Sequence, residues 1–265
     1  MSGVAVITGA SAGIGAELAR VFARHGLPVV LVARREQKLR ELAAEIAATG
    51  QAAPVVLALD LTQPDAASRL AAALTLRALE PEYIVNNAGY GLVGHAATLD
   101  LGEQLAMIDL NVRTLTDHSH DFDDALVRRR GGILNVASVA GFLPGPRSAV
   151  YYASKAYVLS FSEALHDELK GRGVRVTCVC PGPVATEFQA RAGLPDDEAA
   201  WPVAVPAARV AELGYRGLMA GRRLVIPGAV NRVIAFMPRI APRAILLRSL
   251  DRRQSRRLLK STRSK

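Results

Sequence analysis

The sequence predicts one α/β domain, in which a doubly wound, mostly parallel seven-stranded sheet carries helices on both faces. Seven short runs rich in β-branched residues alternate with six longer stretches rich in Ala, Leu, Glu and Arg, an order typical of βαβ units. Each strand run is apolar throughout, which indicates a sheet that is buried on both faces. With 265 residues, of which 50% are hydrophobic, the chain has enough apolar material for one large core.

The same two patterns assign the elements in chain order. Strands are predicted at 4–8, 28–33, 54–59, 82–87, 132–138, 174–179 and 223–227. Helices are predicted at 13–25, 35–48, 65–79, 101–129, 151–170 and 207–220. Neither internal repeats nor low-complexity linkers separate these elements. We therefore assign residues 1–230 to one folded domain and residues 231–265 to a basic, partly apolar C-terminal extension.

The first strand runs into a glycine-rich turn, "TGASAGIGAEL", in which Gly9, Gly13 and Gly15 open a helix. Glycines let such a turn close and let the backbone approach a pyrophosphate, which the free N–H groups of the helix N-terminus hold. Any tight strand-to-helix turn can use a glycine cluster, so the motif alone is weak. Its place after the first strand favours a dinucleotide site.

The second strand ends at "VLVARREQKL", where Arg34 and Arg35 follow the apolar run. An acid near this point holds the ribose hydroxyls of NAD, whereas an arginine pairs with the 2′-phosphate of NADP. The two arginines therefore favour NADP(H) over NAD(H). The alternative is that both only start a solvated helix, and Arg35 is the better candidate for that plainer role.

The long helix predicted at 101–129 contains an unusually polar stretch. Its polar residues are Asp117, His118, His120, Asp121, Asp123 and Asp124. His and Asp are metal ligands, but helix positions 118 and 120 point roughly 200° apart and cannot share one ion. We therefore predict no metal site, and interpret the stretch as a solvated or altered helix face.

The net charge of +9 is confined to the end of the chain. Residues 239–265 contain ten Lys or Arg and one acid, Asp251, which leaves 23 basic and 23 acidic residues in the remainder. Apolar residues are interleaved with the arginines: Phe236, Ile240, Leu246, Leu247, Leu250 and Leu258. Three placements stay open, namely on an anionic membrane surface, over the substrate cleft, or against a partner subunit. We expect no nucleic-acid partner, because aromatic stacking residues are nearly absent.

The sequence carries no signal for export or for membrane insertion. Its start lacks the charged and apolar regions of a secretory signal, and the apolar run at 233–237 is far shorter than the roughly 20 residues of a membrane span. Cys178 and Cys180 are too close to staple a fold and too few for a metal site, so we expect buried thiols in a reducing compartment. These features predict a cytoplasmic protein, with peripheral membrane contact through the extension left open.

Six motifs occur in an order that resembles the short-chain dehydrogenase/reductase family. They are "TGASAGIG", "NNAG" at 86–89, Asn111 in "DLNV", Ser138 in "NVASVAG", "YYASK" and "PGPVATEF". The chain looks most like the bacterial branch related to 3-oxoacyl and hydroxysteroid reductases. The resemblance runs from residue 3 to about residue 226. It implies a Rossmann-fold catalytic domain over residues 1–230.

The resemblance also implies a catalytic set of Asn111, Ser138, Tyr151 and Lys155. Helical geometry places both Tyr151 and Tyr152 near Lys155, and the family spacing selects Tyr151 as the general acid and base. Lys155 is then expected to lower the pKa of the Tyr151 phenol and to bind the nicotinamide ribose. Ser138 is expected to donate to the substrate oxygen, and Asn111 to hold a water that connects Lys155 to solvent.

A cofactor site is implied at the ends of several strands. Its expected residues are Gly9, Ser11, Gly13, Ile14, Gly15, Arg34, Asp60, Leu61, Asn87, Ala88, Gly89, Tyr151, Lys155, Val184 and Thr186. Asp60 and Leu61 are expected to border the adenine, and Val184 and Thr186 to pass the nicotinamide.

Two functions follow as hypotheses. The first is an NADP-dependent oxidoreductase that transfers a hydride between the nicotinamide and a hydrophobic ketone or secondary alcohol. Apolar segments, "VAGFLPG" and "AGYGLVG", flank the site, and Phe188, Leu194 and Trp201 are candidates for a lid. The second is an NADP-binding scaffold or sensor whose tail docks on a partner or a membrane.

A homo-oligomer is left open, because the polar stretch falls on a helix that commonly forms the family's subunit interface.

Overall fold

A computed structural model describes residues 1–192 and 204–263, and its central element is a seven-stranded, all-parallel sheet. The strands are β1 Ser2–Thr8, β2 Val29–Ala33, β3 Val55–Ala58, β4 Leu79–Asn86, β5 Gly132–Val136, β6 Arg175–Val179 and β7 Leu224–Val225. Their order across the sheet is β3-β2-β1-β4-β5-β6-β7. The predicted fold class is confirmed, whereas the domain boundary at residue 230 stays a prediction.

Helices cover both faces of this sheet. In chain order, the α-helices are α1 Gly13–Arg24, α2 Glu36–Ala48, α3 Ala66–Thr75, α4 Leu101–Ile108, α5 Thr114–Asp121, α6 Asp123–Arg129, α7 Ala149–Lys170, α8 Phe188–Arg191, α9 Ala207–Met219, α10 Ala229–Phe236 and α11 Arg243–Arg263. A π-helical turn occupies Asp109–Arg113, and short 3₁₀ turns occupy Val139–Phe142 and Met237–Arg239. Among the described residues, no helix is long and apolar enough to cross a bilayer.

Alternate residues of each central strand enter two different cores. In β1, Ala5 and Ile7 pack with α1, α2 and α9, while Val4 and Val6 pack on the opposite side with α3, α6 and the end of α7. All four side chains are almost completely buried. Because a strand presents successive side chains to opposite faces, two buried faces require an apolar residue at every position. This explains the continuous apolar runs in the sequence.

The strand order reverses between β1 and β4, and a cluster of hydrogen bonds joins the ends of these two strands. The Thr8 hydroxyl donates to the Val85 carbonyl at 3.0 Å and accepts from the backbone N–H groups of Asn87 and Ala88 at 3.0 and 3.1 Å. The Asn87 amide donates in turn to the Thr8 carbonyl at 2.9 Å. In an open α/β sheet, ligands bind in the crevice at such a switch point.

The single helix predicted at 101–129 is wrong. The structure breaks it into α4, the π-helical turn, α5 and α6, and Phe122 interrupts the last two with a non-helical backbone at φ −103° and ψ 5°. Phe122 is buried in the core beneath α3 and α6. Tertiary packing of one aromatic side chain therefore outweighs the helical propensity of its neighbours.

The polar stretch within this region is only partly solvated. His120, Asp121 and Asp124 are exposed, but His118 and Ser119 are buried beneath the sheet. Asn86 Nδ2 donates to Asn135 Oδ1 at 2.9 Å, which leaves Asn86 Oδ1 to accept from His118 Nδ1 at 3.2 Å. The proton therefore lies on Nδ1 of His118. His118 and His120 lie on opposite sides of α5, as the helical spacing predicts.

Burial lowers the pKa of His118 to about 4, so that the ring is neutral in the folded protein. The unfolded chain takes up a proton near the ordinary value of about 6.5, and the folded state resists that proton until the pH approaches 4. Stability therefore falls as the pH falls through this window. Between pH 7 and pH 5 we expect the free energy of unfolding to drop by about 2 kcal/mol through this residue.

Urea unfolding at several pH values measures this drop. A His118→Leu variant should lose most of the pH dependence between pH 7 and pH 5, although its stability at pH 7 will be lower. His120→Leu is the matched control, because its side chain is 91% exposed. An unchanged slope in His118→Leu would contradict the assignment.

Candidate active site

A cleft of about 860 Å³ opens at the carboxyl ends of the strands, above the β1–β4 switch point. Most of the residues assigned to the site from the sequence line this cleft. They are Gly9, Ser11, Gly13, Ile14, Arg34, Asp60, Leu61, Asn87, Ala88, Gly89, Ser138, Tyr151, Lys155, Val184 and Thr186. Two assigned residues, Gly15 and Asn111, do not lie on its wall.

The glycine-rich turn has the backbone that the sequence predicts. Gly9 and Gly13 have φ values of +65° and +57°, in the left-handed region that favours glycine. Gly15 lies behind the turn, where a Cβ atom would overlap the carbonyl oxygen of Gly9 and lie 2.5 Å from Asn87 Nδ2. Gly15 therefore lets α1 pack closely against the turn.

Both arginines after β2 reach the cleft. Arg34 is about half exposed and lies 3.9 Å from the Asp60 carboxylate. Arg35 bonds across the glycine-rich turn, donating from Nη2 and Nε to Ser11 Oγ at 3.1 and 3.2 Å, and its Nη1 lies 2.7 Å from Glu187. Arg35 directly precedes α2, as expected, but its side chain also contacts the glycine-rich turn, and which of the two arginines binds a 2′-phosphate stays a prediction. Spacing in the sequence does not reveal this contact, because the Arg35 side chain turns back toward Ser11, beyond the end of β1.

Ser138, Tyr151 and Lys155 come together on the opposite wall. Ser138 follows β5, where its hydroxyl accepts from the N–H of Ala140 at 3.1 Å. Tyr151 lies in the first turn of α7, and its phenol hydrogen-bonds with Ser138. Tyr152 points instead toward Gly145, where a Cβ atom would overlap its ring. The structure thus brings Tyr151 to Ser138, while Tyr152 lines the same cleft beside Gly145.

Burial controls the ionisation of this pair. It raises the pKa of Tyr151 to about 12, although the hydrogen bond from Ser138 acts in the opposite direction. Burial also lowers the pKa of Lys155 to about 8, and the Lys155 ammonium donates to the Val136 carbonyl at 2.9 Å. The pKa of Tyr151 is therefore raised and not lowered as expected, because the loss of solvation dominates, and the action of Lys155 on the phenol stays a prediction.

Asn111 lies directly behind the cleft wall, in the π-helical turn that interrupts the long helix. Its Oδ1 accepts from the Tyr90 N–H at 3.1 Å, while Nδ2 donates to the Tyr90 carbonyl and to Ser154 Oγ, both at 3.0 Å. A Cβ atom on Gly89 would lie 2.7 Å from Asn111 Oδ1 and 3.5 Å from Lys155 Nζ. Asn111 is thus close to Lys155 but separated from the cleft by Gly89, and its role in holding a water stays a prediction.

The C-terminal extension forms the far wall of the cleft. Its inward side chains are Ile234, Met237, Leu246, Leu250 and Gln254. Leu246, Leu250 and Gln254 recur every four residues, so they share one face of α11. Of the three placements left open by the sequence, the structure shows the one over the cleft. The proposed lid residues Leu194 and Trp201 lie outside the described residues, whereas Phe188 lines the cleft.

One ion pair ties the extension to the domain. Asp251, the single acid among residues 239–265, accepts from Arg147 Nε at 2.9 Å. Arg147 also places Nη1 2.9 Å from His95 Nε2, and it has a left-handed backbone with φ +61°. Ser249 and Gln254 also line this wall, and the buried Oε1 of Gln254 has no hydrogen-bond partner among the described residues.

Comparisons with known proteins agree with this geometry. Residues 3–196 match the family model described as short chain dehydrogenase. A serine 3-dehydrogenase of Agrobacterium fabrum is 38% identical over 189 residues, which cover 71% of this chain and 74% of the relative. A short-chain dehydrogenase from Sphingobium yanoikuyae, solved in complex with NADPH, superposes with a TM-score of 0.80 at 31% identity, covering 89% of this chain and 92% of that one.

A 7β-hydroxysteroid dehydrogenase structure superposes with a TM-score of 0.84 at 27% identity and covers 94% of this chain and 96% of that one. The names of these relatives favour the enzyme hypothesis over the scaffold hypothesis. They also support a nicotinamide cofactor for this fold.

The packing of Gly15 generates a prediction about that turn. Gly15→Ala should push α1 away from Gly9, because the added methyl group meets backbone on one side and Asn87 on the other. We expect a loss of about 1–3 kcal/mol in the free energy of unfolding and weaker cofactor binding. Gly171→Ala is the matched control, since no atom lies within 4 Å of its added Cβ. Thermal unfolding and fluorescence titration with NADPH measure both effects, and equal behaviour of the two variants would contradict the packing role.

Proposed function

The chain belongs to the short-chain dehydrogenase family, and we propose that it is an NADP-dependent oxidoreductase acting on hydrophobic ketones and the corresponding secondary alcohols. The observation that carries this proposal is the placement of Ser138, Tyr151 and Lys155 on the wall of the cleft that also contains the glycine-rich turn. A nicotinamide cofactor fits this cleft, because the turn offers backbone N–H groups for the pyrophosphate and two arginines lie beside it. When bound, the cofactor supplies the hydride.

In the direction of reduction, Tyr151 donates its phenolic proton to the carbonyl oxygen of the substrate. Its raised pKa of about 12 keeps the phenol protonated at neutral pH, which suits an acid. Ser138, already hydrogen-bonded to Tyr151, holds the same oxygen in place. Lys155 supports the phenolate that remains after proton transfer, because an adjacent ammonium group stabilises that negative charge. Oxidation of an alcohol runs the same steps in reverse.

The apolar lining of the cleft supports a hydrophobic substrate. Leu92, Leu143, Phe188, Leu246 and Leu250 contribute apolar surface to the cleft. The two leucines of α11 lie beyond residue 196, where the family match ends, so the relatives' substrates do not carry over to this wall. Gln254 adds one buried acceptor that has no partner among the described residues. Because buried polar groups are normally hydrogen-bonded, we propose that a preferred substrate carries a hydroxyl or amino group at its distal end.

The oligomeric state is a further part of the proposal. Leu101, Leu105 and Ile108 lie exposed along α4. These side chains favour a homo-oligomer that buries this helix, although the polar stretch in α5 departs from the family's usual pattern.

One test of this function concerns the two adjacent tyrosines, Tyr151 and Tyr152. Tyr151→Phe should reduce kcat by at least about a hundredfold, since it removes the proton that neutralises the carbonyl oxygen. Tyr152→Phe should retain most of the activity and serves as the matched control. NADPH oxidation is followed with aliphatic, aromatic, 3-oxoacyl and steroid ketones, each with and without a distal hydroxyl group. Turnover that is absent with every carbonyl, or unchanged in Tyr151→Phe, would refute the proposed reaction.

Another test concerns the choice between NADPH and NADH. Arg34→Ala and Arg35→Ala should each raise the Kd for NADPH by about tenfold or more, because each removes a charge-assisted contact with the 2′-phosphate. The Kd for NADH, which lacks this phosphate, should change little. Arg40→Ala is the control, since Arg40 pairs with Glu36 on the exposed face of α2. Equal losses for NADPH and NADH would remove the preference for NADP.

A further inference from the structure

The C-terminal extension exposes a concentration of apolar side chains on its outer surface. Thirteen large apolar residues are exposed among the described residues, and seven of them lie between 230 and 247. These seven are Val230, Val233, Phe236, Met237, Ile240, Ile245 and Leu247. Met237 also contributes to the wall of the cleft, so we call the other six the outer apolar patch. Such a concentration within 18 residues differs from the single exposed apolar residues that are normal on a protein surface.

The outer apolar patch is separate from the wall of the cleft. In α10, Ile234 faces the cleft while Val230 and Val233 are exposed. In α11, Leu246 and Leu250 face the cleft while Ile245 is 61% exposed. The apolar side chains of these helices therefore divide between the wall of the cleft and the exposed outer apolar patch.

Arginines surround the outer apolar patch. Arg232, Arg239, Arg243, Arg248 and Arg252 are all exposed, and none of them pairs with a carboxylate in the described part of the chain. The acid of this segment, Asp251, is already engaged by Arg147. The rest of the sequence carries 23 basic and 23 acidic residues, so the positive charge is concentrated here.

These charges discriminate between the partners that an apolar patch can take. A second copy placed patch to patch would bring two sets of unpaired arginines together, which opposes association. An anionic lipid surface offers the opposite charge to the arginines and an apolar interior to the patch. Apolar and basic groups on one helical surface are the combination by which amphipathic helices lie in the headgroup region.

We propose that the outer face of the extension docks on an anionic lipid surface, with the outer apolar patch entering the headgroup region and the surrounding arginines pairing with lipid phosphates. The domain then lies against the bilayer with its cleft wall, formed by the inner face of the same helices, next to the lipid. This docking is independent of the reaction that the cleft performs.

Flotation of the full chain with vesicles tests the proposal. We expect the chain to float with vesicles that contain phosphatidylglycerol, and to bind at least about tenfold more weakly to phosphatidylcholine alone. Raising the salt concentration from about 0.05 M to about 0.5 M should weaken binding, because the Debye length shortens. Failure to float with the anionic vesicles at low salt would overturn the proposal.

Two pairs of variants locate the binding surface. Ile240→Ser/Ile245→Ser should lower binding by about tenfold or more, whereas Leu76→Ser, which alters a more exposed apolar residue of the domain, should not. Arg239→Glu/Arg243→Glu should abolish binding at low salt. Arg69→Glu/Arg77→Glu makes the same change in net charge on α3 and beyond its end, and should leave most of the binding.

Independent measurements separate docking from misfolding and from self-association. Each variant must keep the thermal unfolding midpoint and the NADPH affinity of the parent chain, which shows that the domain and cleft are intact. Sedimentation velocity then gives the oligomeric state. If the extension variants dissociate an oligomer but float as well as the parent chain, the outer apolar patch contacts a second copy and the lipid proposal is wrong. The same conclusion follows if domain and extension variants lose binding equally.

Discussion

The architecture of the site depends on the hydrogen bonds that hold the end of β1 to the end of β4. Thr8 is buried between the two strands, and its hydroxyl serves as donor and acceptor at once. Asn87 completes the junction and also limits how closely α1 can approach. The glycine-rich turn, the loop that covers Asn111 and the crevice between them all start from this junction. Neighbouring strands that diverge here create a binding site without any dedicated loop.

Burial shifts the pKa values of the two ionisable groups of the site in opposite directions. It disfavours the charged form of each, which makes Tyr151 a weaker acid and Lys155 a weaker base than they are in water. A closed environment of this kind keeps the phenol protonated and makes the ammonium charge costly. In the proposed reaction, the site gains most when a substrate oxygen takes the proton and the Lys155 charge acquires a negative partner. Electrostatic stabilisation of this kind operates best where water is excluded.

Local patterns in the sequence predicted the strands, the glycine-rich turn and the position of Tyr151 relative to Lys155. These features depend on neighbouring residues, since strand burial and backbone freedom are recorded in short runs. The break at Phe122, the return of Arg35 to Ser11 and the placement of α11 over the cleft depend on contacts between distant residues. The helical spacing of residues looks the same before and after the break at Phe122, so the sequence pattern does not reveal that break. The four-residue spacing of Leu246, Leu250 and Gln254 is present in the sequence, but it does not show which surface that helix face contacts.

Arg147 connects two properties of the protein that oppose each other. A left-handed backbone at a residue other than glycine costs on the order of 1 kcal/mol, and glycine would remove that cost. Glycine, however, has no side chain to bind Asp251 or to reach His95. Glycine here would therefore relieve the backbone but release Asp251. Arginine keeps the strained backbone and, with it, the ion pair that holds α11 over the cleft.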